Sequence, residues 1–318
     1  MKARQRLNSS NSGNAMPKGL VLFLALTFFS HPALATIKAG VSVSDLTNPY
    51  FISMVRSIRD EMHHVFGLDA KLLVRSSAYD IPRQIRQLEE FAAEDVDVIF
   101  LVASDEHKIG PAVKSITRNG TPIVAIDVRA RHASATVTTD NYQAGSIACL
   151  GLADALGGTG NALIINGPQV SSVIERVEGC IDVLSAYPNI SLIDKSLNGT
   201  ASFEGGLESM AYALQAFDDI DGIFAINDRT ALGAEQAISQ AGSSALIMSV
   251  DGSPAARDAL LEKRSAWLGT ATQFPDTMSR EAVGLAKQLL NGHTPENLNI
   301  LIPTKLMTTE NAASFTQW

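Results

Sequence analysis

An α/β fold of two doubly wound parallel-sheet lobes is what the sequence predicts, and three observations carry that expectation. Apolar, β-branched runs recur at regular distances and mostly lack polar alternation, as strands buried on both faces of a parallel sheet do. Amphipathic helical patterns lie between them. The strand-to-strand spacing is roughly 25–35 residues, the length of one strand–helix–strand unit. About nine such units are too many for one open sheet of ordinary size, so two lobes are expected.

In chain order, residues 1–19 carry Lys2, Arg4, Arg6 and Lys18 and no acid. An apolar run follows over 20–29, then His31-Pro32-Ala33-Leu34-Ala35, a small-x-small cleavage pattern. This order reads as a secretory signal peptide over 1–35, leaving Thr36 as the mature N-terminus. Met16 offers a second, more compact start. No cysteine adjoins the cleavage point, so no lipid anchor is expected there, and no 18-residue apolar run appears. The product is expected to be soluble and outside the cytoplasm.

The run at 37–43 opens the folded part. Met54, Val55, Ile58 and Met62 share a helical face behind Pro49. A strand at 71–74 precedes a helix that aligns Ile81, Ile85, Leu88 and Phe91, and strands are read at 96–102 and 122–126. The polar, β-branched stretch 136–141 reads as a crossover between lobes. Beyond it, strands at 162–165, 191–193, 222–226, 245–250 and 266–271 repeat the rhythm. A last helix aligns Met278, Ala282, Leu285 and Leu289 and ends at Asn291-Gly292, a C-cap signal. No Gly/Ser- or Pro-rich linker marks a boundary, so short tight strands are expected to join the lobes.

Composition narrows the function. Hydrophobic residues make up 46% and charged residues 18%, enough for a core and contrary to disorder. The formal charge of −8, with no basic block, argues against nucleic acid as a partner. Two cysteines, Cys149 and Cys180, exclude a multi-cysteine metal site. They read equally as a disulfide, worth roughly 3 kcal/mol, or as two buried thiols. His107, His132 and the pair His63-His64 lack ligand spacing. Gly157-Gly158-Thr159-Gly160 leads into a strand with no Lys-Ser/Thr behind it, so it is a loop and not a phosphate cradle. No GxSxG, HExxH or triad order stands out. The expectation is no catalytic residue, no metal and no cofactor.

Open parallel sheets bind ligands at the carboxyl ends of their strands. There the sequence places Asn48-Pro49-Tyr50-Phe51, Ser104-Asp105, Asp127-Val128-Arg129, Asn166-Gly167, Asn227-Asp228, Asp251-Gly252 and Gln273-Phe274-Pro275. Amides, carboxylates and arginines can bind vicinal hydroxyls, and an aromatic face can cover the C–H side of a sugar ring.

Together with Pro122-Ile123-Val124-Ala125-Ile126-Asp127, Thr139-Asp140-Asn141, Glu175-Arg176-Val177-Glu178-Gly179, Phe224-Ala225-Ile226-Asn227-Asp228 and Ala231-Leu232-Gly233-Ala234, these segments resemble the ribose-type periplasmic sugar-binding proteins of bacterial ABC importers. The resemblance implies two lobes joined by three hinge crossovers, closing around one sugar. It divides the chain into 36–139 with 274–303 as the N-terminal lobe, and 140–273 with 304–318 as the C-terminal lobe. It assigns hydroxyl contacts to Asn48, Asp127, Arg176, Asn227, Asp251 and Gln273, and an aromatic wall to Tyr50 and Phe51. Two departures from the pattern bear on which sugar is bound. Val128 follows the cleft aspartate where arginine is usual, with Arg129 one place on as the candidate contact. Ala201 stands where the other lobe usually supplies an aromatic, with Phe203 nearby.

Each residue also has an ordinary role. Asn48 before Pro49 is a helix N-cap, and Asp127, Asn227 and Asp251 suit turns. Arg176, read alone, is a solvated helix residue beside Glu175 and Glu178. The leading function is a non-enzymatic, monomeric receptor that hands a monosaccharide or polyol to an inner-membrane ABC permease. The alternatives are a sensor presenting its closed form to a chemoreceptor or sensor kinase, and, with little support from this N-terminus, a repressor-type effector domain.

Overall fold

The computed structural model describes residues 36–262 and 266–316; the signal-peptide expectation for 1–35 lies outside them. The elements run β1 (Lys38–Val43), α1 (Pro49–Phe66), β2 (Lys71–Ser76), α2 (Ile81–Ala93), β3 (Val98–Leu101), α3 (Gly110–Arg118), β4 (Ile123–Ile126), β5 (Ala135–Thr139) and α4 (Asn141–Ala155). They continue through β6 (Thr159–Asn166), α5 (Ser171–Ser185), β7 (Asn189–Asn198), α6 (Phe203–Ala216), β8 (Gly222–Ala225), α7 (Asp228–Ala241), β9 (Leu246–Asp251) and α8 (Pro254–Leu261). The last are β10 (Trp267–Thr272), α9 (Pro275–Leu290), β11 (Asn299–Ile302) and β12 (Leu306–Thr308).

Two six-stranded sheets result, ordered β11-β5-β4-β3-β1-β2 and β12-β10-β9-β8-β6-β7. All pairings are parallel except β10 with β12. The central strands β3, β4 and β8 are buried at every position, which is why their sequences are unbroken apolar runs. The two sheets repeat one winding: β2-β1-β3-β4-β5 is matched by β7-β6-β8-β9-β10.

The chain passes from the first sheet to the second after Thr139, returns between Thr272 and Pro275, and passes over again between Ile302 and Leu306. The stretch 136–141, read from sequence as a crossover, is mostly strand: β5 pairs with β4 and β11, and the crossing follows it. Its alternating threonines are buried by β11, a strand the sequence reading did not name. The short strand expected at 191–193 is a ten-residue edge strand, β7, with register shifts against β6.

Packing of α4 on α5 prepares the site. A Cβ on Gly145 would stand 1.9 Å from the Arg176 carbonyl oxygen, and one on Gly179 would stand 2.2 Å from that of Tyr142. The two helices therefore touch backbone to backbone, and Cys149 and Cys180 bridge them as a disulfide. That contact brings Arg176, on α5, beside Asn141 at the start of α4.

Candidate functional site

A cavity lies between the carboxyl ends of the two sheets. Asn48, Tyr50, Phe51, Asp127, Arg176, Asn227, Asp251 and Gln273 all line it.

Local structure aims each of them. Asn48 caps α1, its Oδ1 accepting from the Tyr50 N–H at 3.0 Å, with Pro49 at the first helical position. Tyr50 and Phe51 both face inward, ring centroids 5.5 Å apart and edge to face. Asn227 caps α7 through Thr230 N–H at 3.0 Å. Asp127 follows β4 and Asp251 ends β9, both at positive φ, 68° and 138°. Tyr79 and Ala201, at φ 58° and 53°, also line the cavity. Left-handed non-glycine backbone costs about 1–3 kcal/mol per residue and gathers where a scaffold must aim side chains at a ligand.

A chain of hydrogen bonds crosses the cavity. The Tyr50 hydroxyl lies 3.0 Å from Asp127 Oδ1 and 3.2 Å from Gln273 Oε1. Gln273 Oε1 accepts from Thr139 Oγ1 at 2.8 Å, and its Nε2 donates to Asp251 Oδ1 at 2.8 Å. Arg176 is 4% exposed. Its Nε donates to Asn141 Oδ1 and its Nη1 to the Ile226 carbonyl, each at 2.9 Å, with Nη1 3.5 Å from Asp251 Oδ1. The solvated role that Arg176 has when read alone is thereby excluded.

Burial pushes the Asp127 carboxyl up to about 6, against the pull of Arg176 and of the Tyr50 hydrogen bond. Burial likewise lifts Asp251 to about 7, again opposed by Arg176 and assisted by the Asp228 charge. Burial also raises the Tyr50 and Tyr79 phenols, which keeps them hydrogen-bond donors. One buried guanidinium thus serves two buried carboxyls. The arrangement offers charged and amide partners to hydroxyls, with Tyr50, Phe51 and Tyr79 as aromatic cover. Among the described residues no group of three His, Cys, Asp or Glu could hold a metal ion.

Arg129 is not brought to this cavity. Asp127 in the left-handed region turns the chain so that Val128 lines the cavity instead. Arg129 pairs with Glu106 and with Glu175 on α5, and its N–H donates to Ser171 Oγ at 2.9 Å. It ties the lobes together outside the cavity, as the Arg229–Asp45 pair does at 3.3 Å. Tyr79 was missed by the sequence reading, although the segment after the second strand, Ser77-Ala78-Tyr79-Asp80, carried the same strand-end signal.

The profile of the periplasmic binding protein domain matches residues 39–294. The chain is 30% identical over 275 residues to the ribose import binding protein of Bacillus subtilis, covering 85% of this chain and 86% of that one. It is 29% identical over 264 residues to the xylitol-binding protein of Mycolicibacterium smegmatis, covering 81% and 73%. Among solved structures, the periplasmic solute binding protein of Actinobacillus succinogenes with bound D-allose superposes with a TM-score of 0.80 at 25% identity, over 88% of this chain and all of that one. The matched span contains both sheets' central strands and every residue lining the cavity, and the chain belongs to the periplasmic binding protein family.

Proposed function

We propose that this protein is an exported, non-enzymatic receptor that closes its two lobes over a neutral monosaccharide or polyol and delivers it to an ABC import permease. The observation that carries this reading is the buried chain Asp127–Tyr50–Gln273–Asp251–Arg176, which spans both lobes under an aromatic wall. Ligand hydroxyls would bond groups from both lobes at once, so binding favours the closed state by its differential contacts. The names of the ribose and xylitol relatives support the ligand class. Val128 and Ala201, at the two positions that depart from the ribose-type pattern, favour a ligand other than ribose. Residues 1–35 act as the export signal in this reading, 36–139 with 274–303 form one lobe, and 140–273 with 304–318 form the other.

Thermal unfolding with a panel of pentoses, hexoses and polyols tests the function. A ligand at 100 times its Kd adds about 2.7 kcal/mol. A shift with an amino acid or peptide and none with the panel overturns the ligand class. N-terminal sequencing of periplasmic protein should begin at Thr36; a full-length cytoplasmic product overturns the export reading.

A further inference from the structure

The Tyr50 phenol does more than form a wall. Its oxygen stands between two acceptors on different parts of the cleft, Asp127 Oδ1 and Gln273 Oε1. A sugar hydroxyl placed between a carboxylate and an amide would make the same pair of contacts. The phenol is also fixed in place. Asn48 holds its backbone, Phe51 packs against the ring edge to face, Met278 Sδ lies 4.0 Å from the oxygen, and the residue is 3% exposed.

Hydrogen-bond capacity points the same way. An amide oxygen has two lone pairs. Those of Gln273 receive Thr139 Oγ1 and face the Tyr50 hydroxyl, while Nε2 is committed to Asp251. The space is small as well. About 40 Å³ of the cavity admits the centre of a water molecule, against about 10–15 Å³ for one water by that measure.

We propose that Tyr50 is a specificity-determining residue whose hydroxyl takes the place of one ligand hydroxyl, so that the receptor prefers a sugar or polyol carrying hydrogen at the carbon facing Asp127 and Gln273. This rests on the sugar or polyol reading of the cleft. A fully hydroxylated ligand in the same pose would bring a second oxygen onto the place that the phenol oxygen holds between Asp127 Oδ1 and Gln273 Oε1. A deoxygenated carbon meets only the phenol and leaves its bonds intact.

Titration calorimetry on wild type and Tyr50→Phe tests this, using ribose, xylose and arabinose, their 2-, 3- and 5-deoxy forms, and four- and five-carbon polyols. The expected result is that one deoxy form binds wild type at least roughly tenfold tighter than its parent, and that Tyr50→Phe closes or reverses that gap at the same position. If parents bind wild type as well as every deoxy form, or if Tyr50→Phe weakens all ligands alike, Tyr50 is wall only and the inference is overturned while the sugar reading stands. If wild type binds nothing in this panel, this inference falls, while the sugar reading is decided by the wider panel that includes hexoses. Circular dichroism checks folding; Tyr50→Leu, which also deletes the hydroxyl, repeats the test if the phenylalanine variant does not fold.

Discussion

Tyr79 after β2 and Ala201 after β7 hold matching places in the repeated winding of the two lobes. Each is the second of two left-handed residues, Ala78–Tyr79 in one lobe and Thr200–Ala201 in the other. Asp127 after β4 and Asp251 at the end of β9 match in the same way. The duplicated backbone therefore sets where side chains enter the cavity, and the side chains decide what each lobe offers there. The first lobe offers rings, Tyr50, Phe51 and Tyr79, with one carboxyl. The second replaces the matching ring by a methyl group and relies on Arg176 and Asp251.

If the second wall is ionic, removing its cation should have the largest effect. Arg176→Met leaves Asp251 and Asp127 buried without their shared countercharge. We expect about 3–5 kcal/mol of lost stability and no measurable ligand binding at pH 8; an unchanged denaturant midpoint would break the comparison. The disulfide braces the same wall through α4 and α5, with a sequence separation of 31. Replacing both Cys149 and Cys180 by serine should cost about 3–4 kcal/mol in chemical denaturation, and a loss below about 1 kcal/mol would remove the brace from the account.

Asp251→Asn should weaken binding about ten- to a hundredfold, the value of a charged hydrogen-bond partner. Calorimetry measures it, with circular dichroism showing the fold retained; equal affinity would mean that Asp251 only shapes its turn. The pH dependence of stability follows from the raised carboxyls. Folded values of about 6 and 7 lie above the ordinary 3.8, so between those limits the folded protein binds more protons than the unfolded chain. The stabilisation is complete below the ordinary carboxyl range and is lost as pH rises through 6 and 7. The melting temperature of ligand-free protein should therefore fall from pH 5 to pH 8, and Asp251→Asn should flatten the slope. The smallest effects belong to the partly exposed pairs outside the cavity. Arg129→Ala or Arg229→Ala should change Kd by no more than about fivefold, in keeping with about 1 kcal/mol for such pairs; a hundredfold change would return Arg129 to the ligand-contact set.

Much of this was legible in sequence because buried parallel strands are unbroken apolar runs and strand ends are short polar signatures. Asp127, Asn227 and Asp251 follow such runs directly, and Asn48 stands five residues beyond one. Arg176 was not legible from its neighbours, because Glu175 and Glu178 beside it imitate a surface helix; its burial depends on glycines in two helices 34 positions apart, Gly145 and Gly179. Arg129 misled because alternation beyond a strand end cannot be followed through a left-handed residue such as Asp127. The sheet edges were obscure for a related reason. β11 and β12 are partly exposed and only four and three residues long, so their apolar residues make runs too short to stand out as strands.

Those two late strands constrain how the molecule is made. The first sheet acquires β11, which covers β5, only when Asn299–Ile302 has been synthesised, and the second acquires β12 a few residues later at Leu306–Thr308. The helix α9, which packs against α1, is also supplied only after β6 to β10 of the second lobe. Domains usually fold one after another as the chain emerges, but here neither lobe is a continuous stretch of chain. Both must wait, incomplete, for the last 20 of the 318 residues, so a chain that loses its last few dozen residues forfeits an edge of each half at once.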